Sequence, residues 1–440
     1  MISMDGTHSS RGLTAGTIGF FAGFAAVALF GITTLKISPI LHLTLVESSL
    51  LVAIPLVTGA FLRIPFSLLV DKLGRQTLAI QLIIGLIGMI GIIFTLKSIT
   101  SMPHTTAYYL LLTFGAIAGT GISTFSSGIT YVSYFYPQKR QGTALGIYAG
   151  LGNTAPGIFT VILPFALASL GLVYAYVAWA IFLTIMIIIY EIVSVEPPYI
   201  RYIKEGKSRE EAERFTMQLG IDVIPASSLA QSLKVAAADA RTWALVFMYF
   251  VSFGGFEALT EWLPTYWKLF LGVSAVMAGV LTGIVYSLLT ALTRVPGGWL
   301  SDKVGGELMS IIAYTLEAIG SITFIMSHAL PTSILAEIIM ATGMGVANGA
   351  VYKLVPKYSP RAVSGSSGLV GGLGSAGGLA IPPTMGYIAS ISNFPDAFTV
   401  FLGISIVSII LAITLWNIGK RVTAEKLVKE SIRKREVKEK

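Results

Sequence analysis

Leu51-Val-Ala-Ile-Pro55-Leu-Val-Thr-Gly-Ala-Phe-Leu-Arg63-Ile-Pro65-Phe-Ser-Leu-Leu-Val70-Asp71-Lys-Leu-Gly74-Arg75 reads as one membrane-crossing helix with a charge inside it and a polar turn at its end. An apolar run of about twenty residues crosses a bilayer as a helix. An arginine near its middle costs about 2.5 to 3.5 kcal/mol on insertion scales. The arrangement returns as Leu292-Thr-Arg294-Val-Pro296-Gly-Gly298-Trp-Leu-Ser-Asp302-Lys-Val-Gly305. Arg63 and Arg294, Pro65 and Pro296, Asp71 and Asp302, and Gly74 and Gly305 are each 231 positions apart. A chain that bears this cost twice, in matching places, is expected to use the two arginines together.

The rest of the chain agrees with a membrane setting. Of 440 residues 54% are hydrophobic and 12% charged, with mean hydropathy +0.78, whereas soluble domains carry about 25% charged residues. The apolar runs suit helices and not barrel strands of roughly ten residues. Twelve runs can be counted, at roughly 13–35, 45–70, 77–97, 106–135, 142–168, 171–194, 243–270, 273–300, 308–328, 331–355, 364–391 and 395–418. The predicted fold is an all-α integral membrane protein of twelve transmembrane helices. It divides into a six-helix half (1–194), a central loop (195–242), a second six-helix half (243–418) and a basic tail (419–440). Ser208-Arg-Glu-Glu211 in the central loop has a capping-box start and predicts a surface helix. The first apolar run is long enough to stay as a helix, not a cleaved signal.

Charge orients this arrangement. Lys72 and Arg75, Lys139 and Arg140, seven Lys/Arg of the central loop, Lys303, Lys357, Arg361 and the tail fall on one side. Since positive loops are cytoplasmic, both termini are expected inside the cell and the spans in the plasma membrane. The nine Lys/Arg and four Glu of residues 420–440 fit a tail beside an anionic membrane surface better than a nucleic-acid contact. The absence of cysteine excludes thiolate chemistry and disulfides. His8, His42, His104 and His328 fall near the N-terminus or in short loops, so no buried histidine switch is expected. Without a Gly-x-x-x-x-Gly-Lys-Ser/Thr loop, energy would come from gradients. No cofactor, metal or enzymatic activity is expected.

A second echo, at an offset of 222, joins Gly146, Gly150 and Gly152 of the fifth run to Gly368, Gly372 and Gly374 of the eleventh. Repeated six-helix halves in one orientation predict a transporter with its site between the halves near the midplane. Arg63 and Arg294 would face each other there and grip an anion, because guanidinium makes paired hydrogen bonds to planar oxyanions. The competing reading pairs each arginine with a carboxylate such as Glu257 or Glu261. Gly142-Thr-Ala-Leu-Gly146-Ile-Tyr-Ala-Gly150-Leu-Gly152-Asn153 and Gly371-Gly372-Leu-Gly374-Ser-Ala-Gly377-Gly378 strip one helix face of side chains. This predicts gating by Gly146, Gly150, Gly152, Gly372, Gly374 and Gly377; ordinary tight packing is the plainer explanation.

Glu257 and Glu261, four residues apart, share a helix face. Glu257 would carry protons or pair with Lys353, and Glu261 would be solvated near the outer mouth. Glu317 and Glu337 would cap helix ends or face the cavity. A bound anion would offset the repulsion between Arg63 and Arg294, so the empty carrier would resist closing and exchange would be favoured, unless a co-transported proton helps the return step and makes transport proton-coupled uptake.

The turn after Arg63 resembles the Gly-x-x-x-Asp-x-x-Gly-Arg loop of the major facilitator superfamily, formed here by Asp71, Gly74 and Arg75 and again by Asp302 and Gly305. Ser67 replaces the leading glycine and Gly306 the second arginine. Together with the two Arg-x-Pro elements, Gly150-Leu-Gly-Asn153, Thr124-Phe125-Ser-Ser127, Tyr134-Phe-Tyr-Pro137 and Ala347-Asn-Gly-Ala-Val-Tyr-Lys353-Leu-Val-Pro356 resemble the nitrate/nitrite porter family. The resemblance implies the major facilitator fold and a monomeric carrier of nitrate and nitrite. Arg63 and Arg294 would grip the anion, and Phe125, Asn153, Tyr249 and Phe253 would line the site. Gly152 and Gly374 would lie at bends. Glu257 and Glu261 depart from the small or apolar residues usual there. They leave open a proton-coupled carrier of a small organic anion; a non-transporting anion sensor is the more distant alternative.

Overall fold

In lipid a backbone can satisfy its polar groups only within a helix or a closed barrel, and every described element of this chain is helical. The computed structural model describes residues 6–221, 226–359 and 363–438, with side chains described except at residues 6–7, 71, 138–143, 226–230, 232, 356, 363–364 and 420–438. Ten described segments are long and apolar enough to cross a membrane. They are His8–Ala28 (span 1), Leu45–Val70 (span 2), Gln76–Lys97 (span 3), His104–Ser133 (span 4), Ala144–Val193, Ala240–Phe270 (span 7), Ala275–Val304 (span 8), Gly306–Met326 (span 9), Leu330–Val355 (span 10) and Pro395–Gly419 (span 12).

Ala144–Val193 is two spans. Gly171 has φ 76° and ψ 175°, a backbone state open to glycine. Phe159 and Trp179 stack with centroids 4.7 Å apart, although twenty residues of continuous helix would separate them by about 30 Å. The chain therefore doubles back at Gly171 into spans 5 and 6. Span 11 is the pair Val363–Gly374 and Gly377–Ile391, interrupted where Ser375 Oγ donates to Gly372 O at 2.8 Å. That makes twelve, as the sequence predicts, in two sets of six.

The lipid-facing spans are visible from their bare apolar faces. Ile83, Ile87, Ile90 and Phe94 of span 3 are exposed at helical spacing, as are Ile181, Ile185, Ile188 and Ile192 of span 6. Ile312, Ile319 and Ile322 of span 9 and Ile406, Ile410 and Ile413 of span 12 repeat the pattern. Spans 1, 4 and 7 send Phe20, Phe24, Phe125, Tyr249 and Phe253 into the interior. Thr44 and Ser274 cap spans 2 and 8 at matching places, accepting from Glu47 N at 3.2 Å and Met277 N at 3.1 Å. Each such cap contributes about 1 kcal/mol.

The central stretch is more than a loop. It forms helices Pro198–Lys204, Arg209–Gln218 and Ala226–Ala237, and the capping box is complete, with Glu211 N on Ser208 Oγ at 3.2 Å and Ser208 N on Glu211 Oε2 at 3.0 Å. Beyond span 12 the helix runs on to Lys438; the tail's side chains lie outside the described set, as does Arg361.

The halves meet unequally at the two membrane faces. Opposite the central stretch they are in backbone contact: a Cβ on Gly283 of span 8 would lie 2.6 Å from the Gly157 carbonyl of span 5, and one on Gly386 of span 11 would lie 3.1 Å from the Leu45 carbonyl of span 2. On the face of the central stretch, spans 2 and 11 still touch, Gly372 lying 3.5 Å by its Cβ position from Ile64. The equivalent seam between spans 5 and 8 is packed less closely along part of its length. Nothing lies within 4 Å of the Cβ positions of Gly146, Gly150 or Gly298, and Val295, the repeat partner of Ile64, is 65% exposed.

Candidate functional site

Arg63 is 1% exposed and reaches across the boundary between the halves. Its Nη1 donates to the Gly371 carbonyl of span 11 at 2.7 Å, and its Nη2 to Glu257 Oε1 of span 7 at 2.9 Å. The guanidinium lies 5.0 Å from the Phe125 centroid and 5.3 Å from that of Phe253. Span 11 packs closely at this point, where a Cβ on Gly371 would sit 2.6 Å from Tyr352 Oη. Breaking so buried an ion pair by removing one partner costs about 3 to 5 kcal/mol.

Arg294 approaches the same ring from the other half. Its Cζ is 5.8 Å from the Phe253 centroid and 5.7 Å from that of Tyr352. It is half-buried, and no carboxylate is within ion-pair distance of it among the described residues. The repeat therefore brings both arginines to one aromatic ring and gives only one of them an acid.

An aromatic stack holds this center. Tyr249 and Phe253 are nearly parallel, 4.9 Å apart at 4°, and Phe253 continues to Phe125 at 5.5 Å and Phe24 at 6.1 Å. Tyr249 meets Tyr352 edge-on at 5.0 Å. Phe20 stands behind Phe125 at 5.2 Å, and buried Tyr148 donates to the Thr124 and Phe125 carbonyls at 2.9 and 2.8 Å. Span 7 loosens to a π-helix over Phe250–Gly254, beside the stack, a form common at functional sites.

Several buried polar atoms here have no hydrogen-bond partner among the described residues: Arg63 Nε, Arg294 Nη1, Tyr249 Oη, Asn153 Oδ1 and Glu257 Oε2. Leaving a buried donor or acceptor unpaired costs about 1 to 3 kcal/mol. The donors among them, on Arg63, Arg294 and Tyr249, belong to side chains gathered around Phe253 and suit a small polar ligand with oxygens to accept from them. Asn153 itself sits at the break between Gln138–Gly152 and the helix from Ala155.

The glycines separate into two kinds. Gly152, Gly374 and Gly377 are packed: a Cβ would lie 1.9 Å from the Phe20 ring, 2.8 Å from Tyr249 Cδ1 and 2.2 Å from the Phe250 carbonyl. Gly152 and Gly374 are the last residues before the breaks in spans 5 and 11. Gly146 and Gly150 face open space and Gly372 is in ordinary contact, so tight packing does not account for those three in this state.

Three expectations need correction. Glu257 does not pair with Lys353, whose Nζ is 2.5 Å from Asp302 Oδ1 and donates to the Ser301 carbonyl at 2.6 Å. Lys353 is on the membrane-surface side of span 10 and reaches the loop motif, while Glu257 lies in the middle of span 7. Glu261 is not solvated: it is 0% exposed, and its Oε2 is 3.3 Å from the Cβ position of Gly31 in the other half. Glu317 and Glu337 are likewise fully buried within spans 9 and 10 and cap no helix end; Glu337 accepts from Trp267 Nε1 at 3.2 Å.

The loop motif is latched within each half. Gly74 (φ 55°) turns the chain so that Arg75 Nη1 donates to Glu191 Oε2 and Ser194 Oγ at 2.9 Å each, and Tyr190 Oη donates to the Arg75 carbonyl at 2.6 Å. Gly305 (φ 96°) makes the second turn. The Asp71 side chain lies outside the described set. Gly371, Tyr352, Phe20 and Tyr148 were not singled out by sequence. Tyr352 stands within the Ala347–Pro356 motif, which was the available signal for it.

The chain is similar to known proteins along its length. It is 25% identical over 409 residues (93% of this chain, 96% of the relative) to the probable nitrate transporter NarT of Staphylococcus carnosus. It is 24% identical over 408 residues (92% and 94%) to the nitrite extrusion protein of Bacillus subtilis. With the probable nitrate/nitrite antiporter NarK1 of Thermus thermophilus it shares 27% over 422 residues (89% and 88%). In structure it resembles the xylose transporter XylE from E. coli in a partially occluded inward open conformation, with TM-score 0.72 at 14% identity, covering 93% of this chain and 99% of that one. Such low identity speaks for the fold alone. The family model of the Major Facilitator Superfamily matches residues 15–286 and 270–438. With twelve spans in two repeated halves, the chain belongs to the Major Facilitator Superfamily, a family of transporters and not of enzymes.

Proposed function

We propose that this protein carries nitrate and nitrite across the plasma membrane by alternating access, with the anion held between Arg63 and Arg294. The observation that carries the reading is the pair of arginines, one from each half, 5.3 and 5.8 Å from the single Phe253 ring. A flat, weakly hydrated anion suits that setting: guanidinium edges offer paired donors, aromatic faces flank it, and Tyr249 and Asn153 supply further polar contacts. The names of the similar proteins from Staphylococcus, Bacillus and Thermus point to the same substrates.

In this reading both termini and residues 195–242 are cytoplasmic, by the excess of Lys and Arg on that side. The looser seam between spans 5 and 8 on that side supports reading this as a state disposed to open inward, with the site still sealed. Closing it brings Gly146 and Gly150 against span 8, while the breaks after Gly152 and Gly374 act as hinges. Arg75, Gly74, Asp71, Asp302 and Gly305 hold the loops that limit the rocking of each half. A single copy suffices, since both halves belong to one chain.

Counterflow in proteoliposomes tests the substrate: vesicles preloaded with nitrite should accumulate labelled nitrate. Nitrate and nitrite should compete, and acetate and formate should not. Competition by the short carboxylates with none by nitrate would move the substrate to a small organic anion. Failure to move any of these anions would leave a receptor on a transporter fold.

A further inference from the structure

Arg63 has two jobs that compete for one nitrogen. Its Nη2 is occupied by Glu257 Oε1 at 2.9 Å, with both side chains sealed from solvent at 1% and 0% exposure. An anion that takes Arg63 by its unpartnered Nε and by Nη2 shares that nitrogen with this carboxylate and weakens its hold. A displaced, ionised Glu257 would be left in the membrane interior beside the incoming anion, with its second oxygen already unpartnered. An isolated buried carboxylate is so costly that it neutralises instead. We infer that Glu257 is the coupling acid of this transporter: it leaves Arg63 and takes up a proton as the anion binds, so that proton and anion cross together.

The surroundings leave Glu257 little other choice. Arg63 is its cation, from span 2. Glu261 is one turn along its own helix, and Tyr249 and Arg294 are the other titratable or charged groups around the shared ring. Span 11 covers Glu257 at Gly378, whose Cβ position is 3.0 Å from Glu257 Cβ and 2.5 Å from Leu56 of span 2, so neither cover supplies charge. Arg294 stacks on Phe253, makes no ion pair with the acid among the described residues, and is the guanidinium left for the anion.

A second acid stands on the side from which the proton would come. Glu261 lies farther along span 7 toward the face opposite the central stretch. It is fully buried. It touches Gly31 of the first half at the closed side of the molecule. When the halves part there, Glu261 is the first acid a proton meets on its way to Glu257. The proton then leaves from Glu257 on the open side when the anion departs and Arg63 recovers its partner.

The inference rests on nitrate being a substrate, and the test separates the two. Purified protein in weak buffer at about pH 7.5 is titrated with nitrate while heat and proton uptake are recorded. Wild type should take up about one proton per nitrate bound, and its nitrate affinity should fall toward tenfold per pH unit at alkaline pH. Glu257→Gln should bind nitrate with no proton uptake and an affinity flat with pH; Glu257→Asp should restore uptake. Nitrate binding by wild type without proton uptake between about pH 6 and about pH 9 overturns the coupling while leaving the substrate intact. So does uptake that persists in Glu257→Gln, or that is lost only in Glu261→Gln. Absence of any nitrate heat or stabilisation at all overturns the substrate reading instead. If Glu257→Gln is not recovered folded, the wild-type proton count still decides.

Discussion

Replacing Arg63 with lysine keeps the charge and removes the geometry. The guanidinium now bonds in two directions, to Gly371 O at 2.7 Å and to Glu257 Oε1 at 2.9 Å, while lying between rings at 5.0 and 5.3 Å. An ammonium at the end of a flexible stem can serve one of those directions and lies on neither ring as a plane. With anion bound, the variant loses one charge-assisted hydrogen bond, about 1.5 to 3 kcal/mol, and stacking of about 0.5 to 1 kcal/mol. The total of about 2 to 4 kcal/mol is a weakening of roughly 30- to 700-fold in nitrate affinity. Isothermal titration of purified protein measures it, with gel filtration to show that the variant is folded. Arg294→Lys supplies an internal contrast. Arg294 has no ion-pair partner among the described residues, so its replacement should leave thermal stability nearly unchanged, whereas Arg63→Lys should lower it. Nitrate affinity within about threefold of wild type in Arg63→Lys would refute the anion clamp.

Other outcomes follow from particular contacts. Gly152→Ala forces a methyl to 1.9 Å from the Phe20 ring and should lose about 1 to 3 kcal/mol of stability, seen as a lower melting temperature. Gly150→Ala meets nothing within 4 Å and should be neutral or slightly stabilising. Gly150→Leu should fold, yet hold the seam between spans 5 and 8 open: labelling of a cysteine at Val295 should persist with anion present, and normal transport would dismiss the gating role. Asp239 caps span 7, accepting from Arg241 N at 2.9 Å, and the Arg241 side chain holds its carboxyl below the usual range. That contribution is present above about pH 4 and lost as pH falls through the lowered value. Asp239→Ala should therefore cost about 1 kcal/mol at neutral pH and nothing in strong acid, which thermal melts at the two pH values would show.

What could be read from sequence was whatever is written linearly. The offset of 231 between Arg63 and Arg294 is such a fact, and so are the apolar runs that give twelve spans. The break between the runs at 142–168 and 171–194 was legible too, and the structure adds the φ of 76° at Gly171 that makes the turn. Gly150 and Gly152 are two residues apart and identical in kind, yet one faces open space and the other a ring at contact distance. Which is which depends on helix rotation against spans 1 and 8. The partner of Arg63 was harder still. Glu257 was a named alternative, but Lys353 competed for it, and only the depth of each along its helix separates them. Gly371 could not be found at all, because its contribution is a carbonyl, which every residue has.

The unequal treatment of the two arginines bears on whether the carrier can return empty. Two bare guanidiniums would repel on closing, and an anion would be needed to relieve them, which favours exchange. Glu257 changes that count. In the empty state its carboxylate sits on Arg63, so two positive charges and one negative one share the site. On the coupling inferred above, the loaded state holds two guanidiniums, one anion and a neutral Glu257, and the net charge is the same. Closing then faces similar electrostatics empty or full, whereas anion without proton would remove a charge from the site. Arg294, half-buried beside the looser seam, can receive an anion first, and Arg63 becomes available only as Glu257 is protonated. A carrier built this way should show net uptake driven by a pH gradient into nitrate-free, nitrite-free vesicles. Uptake that absolutely requires a counter-anion inside would mean that the Arg63–Glu257 pair does not substitute for the substrate during the return.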